Sequence, residues 1–490
     1  MSVEASDLKG KQVNKTGIIA CSGNPVHSSK SDILKIPLLG RLIKSSVFLF
    51  VLRCVVLFLF AYSIWFGLVE PDPEKNYVTT GFFWALFWPF FMIFSLVTLG
   101  PVICTICPHA FIGKYLTRWG LNKPVPKKLR NPFIGLAILL LGYWGAYYAF
   151  APFGSPWFSA LFFLLLSVLA IVSYLVFDKM AYCKYFCPMG PVKNAFGKMG
   201  FTWLSTYPDA CVGCKTFDCA KACDHHLSPF NFDKGGSMDG CTLCMDCTQA
   251  CPAVSWRLVK PSYSLLNPIK RTRNVDVWTY ILLLAVISIT MRFHHALGRS
   301  AIADQFPWSR NAHWLEAQFP ALAQAGLDTT GLVALVYALV LTIGVCVGGF
   351  AIGRRILQIP YSKAFSTLGY ALAPLMIIGG LGHASEFFFL HYYSDIANAA
   401  NQLLNLQAEI VEPLARRGEP WLHKFVVFQY IAVTWSMYLF YKRLQLIDAS
   451  TRQKWLAFPF VSAMPIVYLA LIMFSAYVFA TYGVAMTHGH

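Results

Sequence analysis

Charge is scarce in this sequence. Only 13% of its 490 residues are Asp, Glu, Lys or Arg, against about a quarter in an ordinary soluble chain. That shortage argues against a soluble protein of this length. It predicts a multi-span membrane protein, provided apolar runs of roughly 18 residues or more are present. Acids are scarcer still, 23 against 40 bases, for a formal net charge of +17. A cleavable leader is missing too: residues 1–45 are polar and basic, with no long apolar run before Val47. They read as a loosely ordered cytoplasmic tail with an amphipathic end near residues 33–43.

The apolar runs are there. Nine candidate spans cover residues 47–68, 80–103, 132–151, 157–177, 277–291, 332–352, 368–392, 425–441 and 456–482. The fifth is short unless it extends into Arg292 and Phe293. Lys114, Arg118, Lys123, Lys127, Lys128 and Arg130 fill one connector without an acid. Basic residues recur at 257–273, 354–363 and 442–454, whereas Glu70, Asp72, Glu74, Glu409, Glu412 and Glu419 occupy alternate connectors. Arg416 and Arg417 are exceptions in a long outside connector. This positive-inside alternation predicts a bacterial inner membrane protein with a cytoplasmic N-terminus and a periplasmic C-terminus. The basic excess is then topology and contact with lipid headgroups, and nucleic acid is excluded as a partner.

Cysteine is what the chain has in concentration. Eight of its 15 cysteines fall between residues 211 and 251: Cys211-x2-Cys214-x4-Cys219-x3-Cys223, then Cys241-x2-Cys244-x2-Cys247-x3-Cys251-Pro252. The second run has the spacing of a bacterial ferredoxin loop, in which the fourth cysteine of each run ligates the other cluster. Cys241, Cys244, Cys247 and Cys223 therefore form one expected [4Fe–4S] ligand set, and Cys211, Cys214, Cys219 and Cys251 the other. The first run departs from the pattern, with four residues between Cys214 and Cys219 and Asp224 in place of proline. A pair of structural zinc sites is the alternative, disfavoured by the tandem crossover spacing. The expected cytoplasmic location favours metal over disulfides.

The first four spans contain a faint repeat. Span two ends in Cys104-Thr-Ile-Cys107-Pro108 with Gly113-Lys114 following; span four ends in Cys183-Lys-Tyr-Phe-Cys187-Pro188 with Gly197-Lys198 following. These pairs could hold a third metal centre, form a redox dithiol, or be buried thiols. Cys21, Cys54 and Cys346 are isolated and read as inert.

Histidines form a third signal near the outer face: His294 and His295 at the end of span five, His383 and His391 in span seven, His423 before span eight. Imidazoles on neighbouring helices could clamp a haem b or another metal, or simply bond headgroups and loops. Glu386, one turn from His383, could pass quinol protons or orient a ligand, or pair with Arg292 structurally. The scattered tryptophans fit interfacial belts or helix packing.

Four spans, two Cys-Pro elements and a tandem ferredoxin together resemble the NapH/NosR family of membrane iron–sulfur proteins over residues 45–260. That resemblance implies quinol dehydrogenase chemistry serving a periplasmic reductase. The family usually shows Cys-x3-Cys-Pro at both hairpins; Cys183/Cys187 fits and Cys104/Cys107 is one residue tighter. No flavin-attachment domain precedes the first span, so the longer flavoprotein members match less well.

The expected fold is an all-α polytopic membrane protein of about nine helices with an inserted α+β two-cluster domain. Its parts are a tail (1–45), a four-span domain (46–200), a ferredoxin domain (201–265) and a five-span domain (266–490). The expected function is electron transfer between quinone/quinol or a cytoplasmic donor and a periplasm-facing cytochrome, ferredoxin or reductase subunit. The alternative is an assembly factor that reduces metal or thiols for a respiratory metalloenzyme.

Overall fold

The computed structural model describes residues 31–150, 154–406 and 408–484. Most of the expected tail, with Cys21, lies outside them. The described end of that segment includes a short helix, Pro37–Lys44, and Ile33 and Leu34 are buried against the ferredoxin region.

Four long helices come first: α1 (Ser46–Val69), α2 (Tyr77–Thr98), α3 (Phe133–Phe150) and α4 (Pro156–Val176). Their starts are set by side chains that accept otherwise orphaned backbone N–H groups: Ser45 for α1, Asn76 for α2 and Ser155, followed by Pro156, for α4. In α2, Pro89 removes one backbone donor, and the helix is wound wider around it, over Gly81–Phe94. Helix α1 lies close against α4 because Gly67 carries no side chain; a Cβ there would meet Ala160 Cβ at 2.7 Å.

Between the two membrane halves lies a two-stranded antiparallel ribbon, β1 (Thr202–Thr206) and β2 (Val254–Leu258), with Thr202 opposite Leu258 and Thr206 opposite Val254. The cysteine loops hang from its Thr206/Val254 end. Asp32 caps the ribbon's flank, accepting from Trp256 N at 3.1 Å and from the Tyr207 hydroxyl at 2.6 Å.

The second half contains α5 (Asn274–Arg299), α6 (Thr329–Leu357), α7 (Tyr361–Leu403), α8 (Val427–Leu444) and α9 (Ala463–Tyr482). Among the described residues, eight helices are long and apolar enough to cross a membrane. The fifth expected span does extend through Arg292 and Phe293. Helix α8 is the ninth long helix and falls short only in apolarity, since it carries Gln429, Lys442 and Arg443. The expected last span is split: Thr451–Val461, with Pro459 inside, ends at Ser462 before α9 begins.

The two halves share one buried core running through Met92, Tyr143, Phe196, Tyr280, Phe350 and Tyr468. Tyr148 donates to Val286 O at 2.6 Å and Tyr280 to Ala195 O at 2.7 Å, so each half satisfies buried carbonyls of the other.

Candidate iron–sulfur centres

The two cysteine runs are built by one local device. Phe217 (φ 51°) and Met245 (φ 66°) adopt the left-handed conformation, and each is followed by an aspartate and a cysteine that open a short helix, Asp218–Lys221 or Asp246–Ala250. Cys219 and Cys247 therefore occupy equivalent positions. The two extra residues of the first run, Lys215 and Thr216, are absorbed before the turn, so the irregular spacing leaves the third cysteine in register.

The thiols fall into two groups. A cavity is lined by Cys223, Cys241, Cys244 and Cys247, with His225 and Leu243 among its walls. Burial raises the Cys247 thiol, and Cys241, Cys244 and Cys223 add to it. Burial likewise pushes Cys219 up to about 12, helped by Cys251, Cys211 and Cys214. Backbone N–H groups of Leu227 and Leu243 point at the sulfurs of Cys223 and Cys241, both at 3.4 Å. Thiols so crowded and buried would ligate a metal core only as thiolates, whose desolvation and mutual repulsion the core's positive charge would offset. All described cysteines are free thiols. Among the described residues, no three His, Cys, Asp or Glu side chains converge on a point one ion could occupy.

The two sets differ in setting. Val212 is 66% and Phe217 40% exposed, whereas Leu243 is 1% and Met245 3%. The inner set is clamped to the membrane helices. Arg53, a lone cation in α1, donates to Thr105 O and to Cys244 O, both at 2.8 Å. Thr105 donates to Leu243 O at 2.6 Å, and Lys193 to Gly240 O and Cys241 O at 3.3 and 3.2 Å.

Both Gly-Lys elements of the hairpin repeat also dock here. Lys114 pairs with Asp246 at 2.8 Å and Asp224 at 3.7 Å, which gives the residue in the usual proline position a partner. Lys198 bonds Asp239 and, at 3.0 Å, Asp276 of α5. Desolvation opposes its charge, but the two carboxylates outweigh it and hold the ammonium above the usual lysine range.

The four hairpin cysteines are brought together. Burial pushes Cys104 up to about 11 and Cys107 up to about 12, and Cys183 acts on both. Cys187 is raised by burial and then by Cys183, Cys107 and Cys104. Cys54 and Cys346 remain apart from these groups, on α1 and α6.

Of the histidines, His294, His295 and His383 are brought together by α5 and α7, His383 from the middle of α7. His294 Nε2 lies 2.9 Å from Asp328, and His295 Nε2 2.8 Å from the Tyr147 hydroxyl. The His294 and His295 rings are 4.7 Å apart, and His383 is near enough to act on the charge of His295. The His391 ring lies 5.5 Å from that of Phe387, tilted to it by 47°, and His423 faces Glu386 electrostatically. Glu386 does not pair with Arg292, which instead bonds Gln429 Oε1 at 2.6 Å on α8; the charges acting on Glu386 are His423, Arg417 and Arg299.

Arg53, Lys193, Thr105 and His109 went unnoticed in the sequence. Arg53 had a signal, since a lone ionisable residue inside an apolar span is a functional candidate by default. His109 sits between Phe60 and Tyr182, its Nε2 2.9 Å from Ser167 Oγ.

Two segments, residues 80–127 and 159–205, match the family model described as a 4Fe-4S binding domain (Fer4_5). Each contains one Cys-Pro element, and the Cys211–Cys251 module lies beyond both. A stretch of 125 residues is 24% identical to the putative electron transport protein YccM of Escherichia coli (strain K12), covering 26% of this chain and 33% of that protein. The chain thus aligns with about a third of the length of this curated relative. No solved structure matches. Together these findings support a membrane-type iron–sulfur protein, without singling out the NapH/NosR branch.

Proposed function

We propose that this chain is a membrane-bound electron-transfer protein of NapH/NosR type, carrying two [4Fe–4S] clusters on the cytoplasmic face of a bacterial inner membrane. The observation that carries the reading is the partition of eight thiols into two adjoining sets, one at a solvent-exposed loop and one clamped over the membrane helices. The sets adjoin at Cys219, whose charge acts on Cys247. When bound, the clusters supply one-electron redox chemistry.

The protein's own residues divide the remaining work. The exposed Val212 and Phe217 rim admits a soluble redox partner, while Arg53, Thr105 and Lys193 hold the inner loop rigid against the hairpin ends. Quinone or quinol in the lipid is the membrane-side partner, and a periplasm-facing respiratory protein lies further along the path. The description of YccM as a putative electron transport protein supports an electron-transfer role. Nine spans, counting α8, agree with the alternation of basic connectors and set the termini on opposite sides. Haem b fits less well: His294 and His295 each already engage a protein partner through Nε2, so no electron step is routed through haem.

The test is a low-temperature EPR titration of the anaerobically purified chain in detergent, followed by mixing with a quinone analogue. Two [4Fe–4S] signals that dithionite reduces and quinone reoxidises are expected. Stoichiometric zinc in place of iron would sink the proposal, as would clusters that no quinone oxidises.

A further inference from the structure

We propose that Cys104, Cys107, Cys183 and Cys187 hold a third [4Fe–4S] cluster, set between the two membrane hairpins and next to the inner ferredoxin site. The identity of its electron partner rests on the two-cluster reading above; its ligands do not.

Four observations converge. Two hairpins distant in sequence each deliver two cysteines to one buried spot, where every thiol lies within the field of others of the group. The polar groups aimed at the sulfurs are donors. The N–H groups of Ala110 and His109 face Cys107, that of Met189 faces Cys187, and the Tyr174 hydroxyl lies 3.1 Å from Cys183 Sγ. Donors directed at sulfur are what cluster thiolates require. The backbone is cut away to admit this packing: a Cβ on Gly135 would meet Cys187 O at 2.5 Å, and one on Gly190 would meet Cys183 O at 2.9 Å. The two segments matched to a 4Fe-4S binding domain each contribute one cysteine pair.

A dithiol or single-ion site explains less. One disulfide needs two cysteines and leaves the other pair, with its donors, without a task. A single ion would use the four thiols but leaves unexplained why both segments match a 4Fe-4S binding domain.

The third centre extends the relay. Cys104 acts on Cys241 of the inner set, and Lys193 lies within the field of both. The centres therefore run in order: exposed loop, clamped loop, hairpin ends. In each step one electron leaves a reduced cluster, which returns to its oxidised state, and reduces the next. A soluble one-electron donor would supply the electrons one at a time, and two of them, with two protons from water, would convert a quinone to quinol at the membrane end. Loading the site releases the thiol protons of its four cysteines.

Iron and acid-labile sulfide counted on the full anaerobic chain decide the matter. Wild type is expected to hold about 12 iron, four per cubane. Cys107→Ser with Cys187→Ser should lower this to about 8 and keep both ferredoxin EPR signals. Wild-type iron of about 8, unmoved by these substitutions, overturns the proposal. Loss of only about 4 with Cys244→Ser, beside an intact hairpin signal, shows the two readings to be separable. Should the double variant fail to fold, Tyr174→Phe keeps all four ligands. It is expected to lower one cluster's midpoint potential and leave two unmoved; three unmoved potentials overturn the proposal.

Discussion

The Cys211–Cys223 and Cys241–Cys251 loops share one local design and live in opposite surroundings. Each places a cysteine behind a left-handed residue and an aspartate. Yet Asp246 is gripped by Lys114 at 2.8 Å with Arg53 4.0 Å away, whereas Asp218 is half-exposed and makes no ion pair among the described residues. The comparison teaches that ligand chemistry is set by the loop, while its task is set by what the loop touches. A clamped loop keeps fixed distances and suits a relay; an open one leaves its rim to a visiting protein. Exposure and hydrogen bonding are also the terms that tune cluster potentials.

The sharpest way to break the comparison is to remove a ligand from the clamped loop. Cys244→Ala should empty the inner site and slow transfer from a soluble donor to quinone by more than about 100-fold. Direct reduction of the outer cluster should survive, and stopped-flow absorbance at both steps reads the split. Next in size is Lys198→Met, which takes the ammonium from the fully buried Asp276, leaving it the Tyr370 hydroxyl and the more distant Arg273, and also frees Asp239. Breaking a buried pair costs about 3–5 kcal/mol, to be seen as earlier thermal unfolding in detergent. Smallest, and most specific to the contrast, is Asp246→Asn against Asp218→Asn. The first should cost about 1–2 kcal/mol and shift the inner cluster's potential; the second should stay within about 0.5 kcal/mol. Equal effects would erase the distinction between the loops.

Much of this was legible in the chain. The membrane spans could be read because length and apolarity are local properties, and the iron–sulfur character because the cysteines are concentrated in short runs. The clamp could not. Arg53 reaches Cys244 across 191 residues, and Thr105 reaches Leu243 across 138; no short pattern records such pairs. Lys114 and Lys198 were visible as the Gly-Lys ends of the hairpin repeat, but a local pattern cannot tell a solvated lysine from one docked between carboxylates. Arg292 shows the converse: Glu386 was the obvious partner by charge, yet a neutral amide on α8 took it. Helix α8 itself hovers at the margin because its cations and amide dilute an otherwise apolar run.

The ribbon has one more consequence. Its cysteine-bearing end is the Thr206/Val254 pair, held just beyond by the Tyr207 N–H on Ala253 O at 2.9 Å. Cys211 follows the first strand and Cys251 precedes the second, so the outer cluster would tie the ribbon shut like a clasp. Cofactor delivery and the closing of the fold then become one event. A newly made chain starved of iron would carry an open ribbon, and cellular proteolysis could sort loaded from unloaded protein without sensing a single electron.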